Sequence, residues 1–471
     1  MPKVTVVQGH ENLQVNSGLI PVDNLISNLG LCSSSFLNNE FRTARWISNG
    51  QVVKSAILLQ CLGKTDFEDI AKLNDNDMFT ICTGRKISPE TFRQRFNKIS
   101  QDTNFYTQLD HDNARILKNA HFKKIEIQGK EYIPLDIDVT PFSNPGVNKE
   151  GISCTYKLED GFAPIIAYIG SYALCSDLRI GSQHSECEAV PFLNRCMAII
   201  KEIGLDPQSI LVRVDSGHDA SDFIEACDAH NLKYIIKRNF RRQSTDDIVV
   251  RAKSSVIPLI SRDRCTLKYR IVDEKEKPAN APNSPAICIF EVRDPISDKN
   301  GFDKFRLMRV KDVNSPYFGR DGIPYEVHGW WTNLNFECVS KDIFAEGRTF
   351  STRIINLYRD HATSEQYHSE LKTDMNMELL PSHYFATNRA YLALSAISFS
   401  ILRLIGDHCI ELDPSLQHHK NIKTTRIRLR TVINEFFSFP FQLVKHAGKT
   451  FVKLGKNCKR FKTFLKICYI N

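Results

Sequence analysis

Two aspartates end hydrophobic segments that have the composition of β-strands. Asp138 lies near the end of residues 132–140, in the order Asp-Val-Thr, and Asp215 ends residues 209–215 and is followed by Ser-Gly-His-Asp. Open α/β sheets place their ligands beyond the carboxyl ends of neighbouring strands, and Gly217 permits the tight turn that follows such a strand. We therefore expect the two carboxylates to meet at one edge of a sheet.

A third carboxylate belongs to a polar stripe on a helix predicted over residues 349–374. Tyr358, His361, Glu365 and Lys372 stand at offsets of three, seven and fourteen residues. At about 100° per residue, these offsets place all four side chains within an arc of roughly 60°. Such a stripe is more often the solvent face of a helix, but together with the two aspartates it predicts a site with three acids.

The chemistry of this site follows from its charge. Carboxylates that lie close together raise one another's pKa unless a cation compensates them. Hard divalent cations supply that charge, and oxygen ligands suit Mg²⁺ or Mn²⁺. Two such ions activate a water or a 3′-hydroxyl and stabilise the leaving oxygen of an in-line phosphoryl displacement. Asp138, Asp215 and Glu365 therefore predict phosphodiester cleavage and strand transfer.

Three nearby acids compete for the same role. Asp136 precedes Asp138 by two residues and so shares its face of the strand, which makes it an alternative ligand or a supporting group. The Asp-x-Thr context favours Asp138. Asp219 is expected to cap a helix that begins near residue 220, and Glu370, about 140° around the helix from Glu365, is expected to be exposed.

The hydrophobic pattern divides the chain into five segments. Residues 1–128 are mostly helical in pattern, residues 129–239 alternate strands with helices, and residues 240–346 consist of short alternating stretches between turns. Helical patterning resumes over residues 347–410 and continues into a basic segment at 411–471. The pattern predicts an α/β core interrupted by an inserted antiparallel β domain, with a helical N-terminal domain and a helical, basic C-terminal region.

Single elements follow from the same pattern. Ser88 before Pro89 marks a helix start, and Phe92, Phe96 and Ile99 recur at helical spacing after it. The other predicted elements are strands at 163–169, 173–180, 286–292, 305–310 and 330–334, and helices at 189–203, from residue 220 onward and at 386–407.

Composition and charge narrow the class of protein. The chain has 471 residues, of which 42% are apolar, enough for about three globular domains. Its start has no apolar signal segment and its most apolar stretch, residues 390–406, contains serines and Arg403, so we expect neither secretion nor a membrane span. The fourteen cysteines include no Cys-x-x-Cys pair and indicate reduced thiols.

The positive charge is concentrated at one end of the chain. The formal net charge is +8, and from Lys420 to Asn471 thirteen Lys or Arg residues are accompanied by one acid, Glu435. A basic segment interleaved with aromatic residues suits a polyanion such as DNA, although a solvated tail has the same composition.

Several segments in a fixed order make the chain resemble a known family. They are LDIDVTPFSN, LVRVDSGHDASDF, IIKRN, LYRDHATSEQYHSELKTD, FATNRAYLALSAISFSILRLIG and IRLRTVINE. This order resembles the DDE transposases of bacterial insertion sequences, in particular the insertion-sequence group numbered 1380, from about Gly63 to the C-terminus. The resemblance implies a ribonuclease-H-like catalytic core in which an inserted β domain separates the second aspartate from the glutamate.

The resemblance also implies roles for single residues. Asp138, Asp215 and Glu365 would be the catalytic acids and hold two Mg²⁺ or Mn²⁺ ions, and Tyr358 and Lys372 would contact the transposon end. Many relatives have an arginine where this chain has a histidine, so His361 has either a weaker, pH-dependent phosphate contact or a structural part.

Further DNA contacts are expected on the same grounds. A tryptophan of the inserted domain stacks on a flipped base in relatives, which suggests Trp330 or Trp331 here, although a core role is the commoner one for a tryptophan on a strand. The remaining expected DNA contacts are Lys237, Arg238, Arg426, Arg428 and Arg430.

The function expected from the sequence is cut-and-paste DNA transposition. The enzyme would bind the terminal inverted repeats of its element, hold two ends in a homodimer and insert them into target DNA, in the cytoplasm of a bacterium at the nucleoid. A nuclease of the same fold without strand transfer, and an inactive DNA-binding remnant, are the alternatives.

Overall fold

The computed structural model describes most of the chain. The described residues are 10–34, 47–127, 129–241, 244–254, 267–273, 283–293, 325–334, 350–416 and 425–470, with isolated positions at 8, 37, 278, 281, 320, 418–419 and 422–423. The strand predicted at 305–310 lies outside them.

Helices and strands are numbered in chain order. The helices are α1 (Leu19–Asn28), α2 (Asn49–Cys61), α3 (Asp69–Leu73), α4 (Asp77–Thr83), α5 (Pro89–Ser100), α6 (Thr103–Leu117), α7 (Ala189–Ile203), α8 (Ser221–Ala229), α9 (Asp246–Ser254), α10 (Phe350–Arg359), α11 (Thr363–Ser369), α12 (Phe385–Leu412), α13 (Leu429–Phe436) and α14 (Phe461–Ile467). The strands are β1 (Ile125–Ile127), β2 (Lys130–Val139), β3 (Phe142–Ser143), β4 (Ser153–Cys154), β5 (Asp160–Phe162), β6 (Ile165–Ile169), β7 (Tyr172–Asp177), β8 (Ile210–Val214), β9 (Lys233–Lys237), β10 (Leu267–Asp273), β11 (Ile287–Arg293), β12 (Glu326–Thr332), β13 (His418–His419), β14 (Ile422–Lys423), β15 (Phe441–His446) and β16 (Lys449–Leu454).

A mixed β-sheet forms the centre of the α/β fold. The described strands follow the order β7-β6-β2-β8-β9-β12-β11-β10, with β1 beside β2. Strand β2 pairs in parallel with β8, and β8 in parallel with β9, whereas β6 and β7 run antiparallel on the other side of β2. The neighbouring strands predicted to carry the two aspartates are therefore adjacent, with their carboxyl ends at one edge.

The described strands after residue 240 continue the same sheet. Strands β10, β11 and β12 pair antiparallel, and β12 pairs antiparallel with β9 of the core. Strands β11 and β12 overlap predicted strands, whereas β10 was not predicted. Successive residues of β11, from Cys288 to Val292, are all buried, so both faces of this part of the sheet are covered.

The longest described helix packs at the centre of the fold. Helix α12 contacts β7, α2 and α6, and 94% of its most apolar stretch is buried inside the protein, although its length and composition would allow it to cross a membrane. Gln60 of α2 donates to the backbone oxygen of Tyr391 over 3.0 Å and accepts from the Ser398 hydroxyl over 2.8 Å. These contacts join the N-terminal helices to the core.

Local sequence signals are confirmed in the N-terminal helices. The Ser88 hydroxyl accepts a hydrogen bond from the backbone N–H of Thr91, Pro89 is the first residue of α5, and Phe92 and Phe96 are fully buried. A capping side chain and an early proline satisfy the free end of the helix, as expected.

The prediction of a helical C-terminal region is wrong in its middle. Helices α13 and α14 flank a hairpin, in which β15 pairs antiparallel with β16. Ala447 and Gly448 form the turn with φ angles of 51° and 74°. Two consecutive residues with positive φ match the twist of a tight hairpin, which local helix propensity does not anticipate.

Candidate active site

Asp138 reaches the edge of the sheet next to a buried histidine. It is the second-last residue of β2, and its Oδ1 accepts a hydrogen bond from the backbone N–H of Val139 over 2.8 Å. Its Oδ2 lies 3.3 Å from Nε2 of His368, whose Nδ1 lies 3.4 Å from the hydroxyl of the buried Tyr168. The carboxylate is held in place but keeps an exposed side-chain fraction of 23%.

Asp215 caps the turn that follows β8. Its Oδ1 accepts from the backbone N–H of Gly217 over 3.0 Å and lies 2.9 Å from Nδ1 of the fully buried His218. Burial raises the pKa of Asp215, but the hydrogen bond and charge of His218 and the Gly217 N–H outweigh it, so the pKa lies below its ordinary value. Asp215 is therefore ionised at neutral pH.

Glu365 lies in the first turn of α11 and is exposed. The helical segment that carries it was predicted as one regular helix, but it is interrupted by a 3₁₀ turn at Asp360–Ala362 and a π turn at Glu370–Asp374. A π turn shifts the phase of a helix, and such turns are frequent at functional sites. The predicted alignment of polar side chains on one helix face therefore holds from Tyr358 to Glu365 and changes beyond Glu365.

The three carboxylates line one cleft of ≈ 490 Å³, called here the acid cleft. The other residues that line it are Tyr156, Tyr358, Arg359, His361, Ala362 and Ser364. Burial raises the pKa of Tyr156, and so do the negative charges of Asp138, Asp215 and Glu365, as expected for a phenol that lines the same cleft as the three acids. The structure thus brings together the acids that the sequence selected.

The donor set suits a hard divalent cation, since it consists of carboxylate oxygens. Among the residues that the structure describes, no three His, Cys, Asp or Glu side chains are grouped tightly enough to hold one metal ion. The three acids therefore line one cleft but do not form a complete coordination shell for a metal ion. Histidine side chains lie next to two of them, Asp138 and Asp215.

Asp136 is fully engaged by protein cations and is not equivalent to Asp138. Its two carboxylate oxygens each accept from Arg213 over 2.7 Å, and Oδ1 also lies 2.9 Å from Nδ1 of His361. Arg213 in turn donates to the backbone oxygen of Leu357 over 2.8 Å. We call Asp136, Arg213 and His361 the Asp136 network; all three are at most 7% exposed.

The network ties the glutamate-bearing segment to two strands of the sheet. Burial raises the pKa of Asp136, but Arg213 and His361 hold it below its ordinary value. Burial lowers the pKa of His361, and the bond to Asp136 raises it above its ordinary value. Sequence reasoning missed Arg213, although a charged residue inside a strand of otherwise apolar residues signals a buried partner.

Two buried acids receive the arginines predicted to bind DNA. Glu370 accepts from Arg403 over 2.6 Å and from Arg426, and it is 1% exposed, so the expectation that it is exposed is wrong. Asp374 accepts from Arg428 over 2.8 Å and lies 3.2 Å from Arg430. Local helix geometry placed Glu370 in solvent, whereas Arg403 of α12 and Arg426 of the segment before α13 cover it.

Lys372 and Lys237 differ in their surroundings. Lys372 donates to the backbone oxygen of Pro141, and its Nζ lies 5.5 Å from the centre of the Phe142 ring. Lys237 ends β9 and pairs with Trp330 in the sheet. Neither observation tests their predicted contacts with DNA.

The two tryptophans of β12 are buried. Trp330 is 3% exposed and its ring lies 5.8 Å from that of Tyr358, whereas Trp331 is 5% exposed and Arg238 lies 4.7 Å over its ring. The indole N–H of Trp331 donates to Asp219 over 3.0 Å. DNA contacts by Trp331 and Arg238 stay predictions.

The predicted helix-capping role of Asp219 is wrong. Asp219 accepts from the backbone N–H of Asn239 over 2.7 Å in addition to Trp331, while Ala220 is the capping residue of α8 and makes no side-chain cap. The partners come from β12 and the segment after β9, which are distant in sequence.

The fold and cleft define an α/β protein with acids at the ends of adjacent strands, and comparison with known proteins names its family. The family model for "Transposase DDE domain group 1" matches residues 2–257, more than half of the chain. The chain therefore belongs to the DDE-domain transposases. Asp138 and Asp215 lie inside the matched range, and Glu365 lies beyond it.

The other comparisons are less informative. No curated protein matches the chain. A solved structure described as a piggyBac transposase synaptic complex with hairpin DNA resembles it over 89% of this chain and 77% of that chain, with 7% sequence identity and a TM-score of 0.40. So distant a likeness carries no residue role to this chain.

Proposed function

We propose that this DDE transposase is an active cut-and-paste enzyme that cleaves the ends of its own element and joins them to target DNA. The observation that supports the proposal is that Asp138, Asp215 and Glu365, which come from two strand ends and a helix, line one cleft. The proposed partners are double-stranded DNA, at the terminal inverted repeats and at the target, and a second copy of the chain that holds the other end.

The core is proposed to be ribonuclease-H-like. Three antiparallel strands, β2, β6 and β7, are followed by two strands, β8 and β9, that run parallel to β2 on its other side. This connectivity supports the assignment, together with acids at the ends of β2 and β8. We propose that residues 1–128 bind DNA, that residues 240–346 are an inserted domain, and that residues 411–471 bind DNA or mediate dimerisation. The protein would be bacterial, belong to the insertion-sequence group numbered 1380 and act in the cytoplasm.

Asp138, Asp215 and Glu365 would hold Mg²⁺ or Mn²⁺, and two such ions supply an activated oxygen nucleophile and a stabilised leaving oxygen. The protein's own groups orient this site. His218 fixes Asp215 and His368 faces Asp138.

Cationic and neutral donors in the acid cleft suit the DNA strand. Arg359 lines the cleft and also pairs with Glu291 over 3.2 Å, so its guanidinium is positioned for a phosphate near the acids. Burial and the nearby aspartates raise the pKa of Tyr358, so its phenol stays protonated and can donate a hydrogen bond to DNA.

The test is cleavage of a labelled duplex that carries the inverted repeat beside the gene, in Mg²⁺. Asp138→Asn, Asp215→Asn and Glu365→Gln keep the shape of each side chain and remove its charge. We expect each to lower the cleavage rate roughly 1,000-fold or more, because each metal ion contributes several kcal/mol to the transition state. Asp222→Asn, an exposed acid of α8, should cleave like the wild type.

The products separate the alternatives. Joined products in a target plasmid support transposition, and cleavage without joining supports a nuclease. If the wild type cuts no faster than the three variants, the acid cleft is not the active site and the inactive DNA-binding remnant is supported.

A further inference from the structure

A small sheet beside the acid cleft forms a structure with a fixed base and an open tip. Strands β3, β5 and β4 build it within residues 142–162, which we call the flap. The chain leaves the core after β2, which carries Asp138, and returns to it at β6. The flap therefore begins next to one of the three carboxylates.

The base of the flap is fixed to the body of the protein. Phe142 and Phe162 are fully buried, and the side chain of Asn144 donates to the backbone oxygen of Glu378 over 3.0 Å. Glu150 accepts from the backbone N–H of Phe385 over 2.9 Å. These contacts come from elements outside the flap, so its tip is held in a defined position.

The tip, residues Thr155 to Leu158, points an aromatic and an aliphatic side chain into solvent. Tyr156 lines the acid cleft with the three carboxylates but is 65% exposed, and Leu158 is 85% exposed. Thr155 is buried and its backbone carbonyl oxygen accepts from the backbone N–H of Leu158 over 2.9 Å, which closes the turn. Exposed apolar side chains at a tip with a fixed base are available to a partner rather than to the core.

The backbone of the tip has an unfavourable conformation. Leu158 has a φ of 63°, in the left-handed region that glycine or asparagine normally occupies. The side chain gains no burial that would offset this cost, because it is 85% exposed. Strained residues of this kind cluster at ligand-contacting sites.

The charge near the tip suits a nucleic acid. Lys157 lies between Tyr156 and Leu158 and is exposed. Burial lowers the pKa of Lys372, and the positive charge of Lys157 lowers it further. The carboxylates repel an anion that approaches the cleft without metal ions, whereas the two lysines attract a phosphate beside it. A nucleotide offers both a phosphate and an apolar base face.

We propose that the flap tip holds the DNA strand at the cleavage position, with the Tyr156 ring and the Leu158 side chain against an unstacked base and Lys157 at the adjoining phosphate. The inference rests on the proposed function of the acid cleft. Aromatic rings stack on bases without regard to sequence, so this contact positions the strand and does not select it. The tryptophans of β12 are at most 5% exposed, so they offer a base much less accessible ring surface than Tyr156 does.

The experiment uses the full-length protein and the labelled element end in Mg²⁺. Tyr156→Ala should lower kcat/KM roughly 5- to 150-fold, the range of one base–aromatic stack, while Tyr156→Phe, which keeps the ring, should stay within about threefold of the wild type. Leu158→Asn, which tolerates positive φ, should keep or raise the melting temperature and still lower the rate. Tyr384→Ala, at a tyrosine that is 54% exposed and does not line the cleft, is the matched control.

A second readout locates the base. Duplexes that carry 5-iodouracil next to the mapped cleavage position are bound in EDTA and irradiated, and the crosslinked peptide should contain Tyr156 in the wild type and be lost in Tyr156→Leu. Wild-type rates in Tyr156→Ala, or an equal loss in Tyr156→Phe and Tyr156→Ala, overturn the proposal. If the wild type itself cuts no element end, the proposed function fails, whereas normal cutting by Tyr156→Ala refutes the flap contact alone.

Discussion

Two carboxylates of β2 lie two residues apart on one face of the strand and have opposite surroundings. Asp136 is 1% exposed and is neutralised by Arg213 and His361. Asp138, at the strand end, lies in the open cleft with an exposed side-chain fraction of 23%. Residue type therefore does not decide the role of an acid. A carboxylate with a guanidinium partner supports the structure, whereas one without such a partner is available to an external cation.

The largest expected effect is a difference in the free energy of unfolding between variants at these two aspartates. Asp136→Asn removes one charge of a buried pair and leaves Arg213 uncompensated, so it should lower the free energy of unfolding by about 3–5 kcal/mol. Asp138→Asn should change it by less than about 1 kcal/mol, because its carboxylate has solvent and no guanidinium partner. Denaturant unfolding at pH 7 measures both. Equal losses of stability in the two variants would remove the distinction between the network and the cleft.

A smaller expected effect is the pH dependence of the stability that His361, the histidine of the Asp136 network, contributes. The folded pKa of His361 is raised by Asp136, so its stabilising bond is complete below the unfolded pKa of about 6.5 and is lost as the pH rises through the folded pKa. The charged and titratable groups near it include Asp136, Asp138, Arg213, Asp215 and Tyr358.

The measurement compares the free energy of unfolding of wild type and His361→Gln between pH 5.5 and 8.5. We expect a difference of about 1.5–3 kcal/mol at the acid end, the range of a charge-assisted hydrogen bond, which shrinks toward the alkaline end. His184→Gln, at a histidine whose side chain is 72% exposed, is the control. A difference that grows with pH would show that His361 is held neutral.

The smallest expected effect concerns the basic hairpin formed by β15 and β16. Lys449, Lys453 and Phe451 lie on one face of β15–β16, and all three are exposed. If this face contacts DNA, Lys449→Gln with Lys453→Gln should make the slope of log affinity against log salt shallower by about 1 to 2, since each phosphate contact contributes about 0.9. Lys201→Gln on α7 should leave the slope unchanged, and an unchanged slope in the double variant would exclude the hairpin as a DNA contact.

Much of the fold follows from local patterns. The strands β2, β6, β7 and β8 and the helices α5 and α7 lie close to their predicted bounds, because alternation, apolar runs and helix caps act within a few residues. The hairpin β15–β16 does not follow from them, since its strands are stabilised by pairing with each other and by the burial of Phe441 in the core. The same limit applies to Asp219 and Glu370, whose partners come from other parts of the chain.

Residue order and short-range periodicity were enough to indicate the family, to select three candidate acids and to place two of them at strand ends. The three-dimensional structure was needed to show which acid of β2 is neutralised, where the arginines of residues 426–430 are bound, and that Tyr156 lines the cleft beside the carboxylates. The physical reason is that burial and Coulomb interactions depend on distance in space, and the partners concerned are up to 225 residues apart.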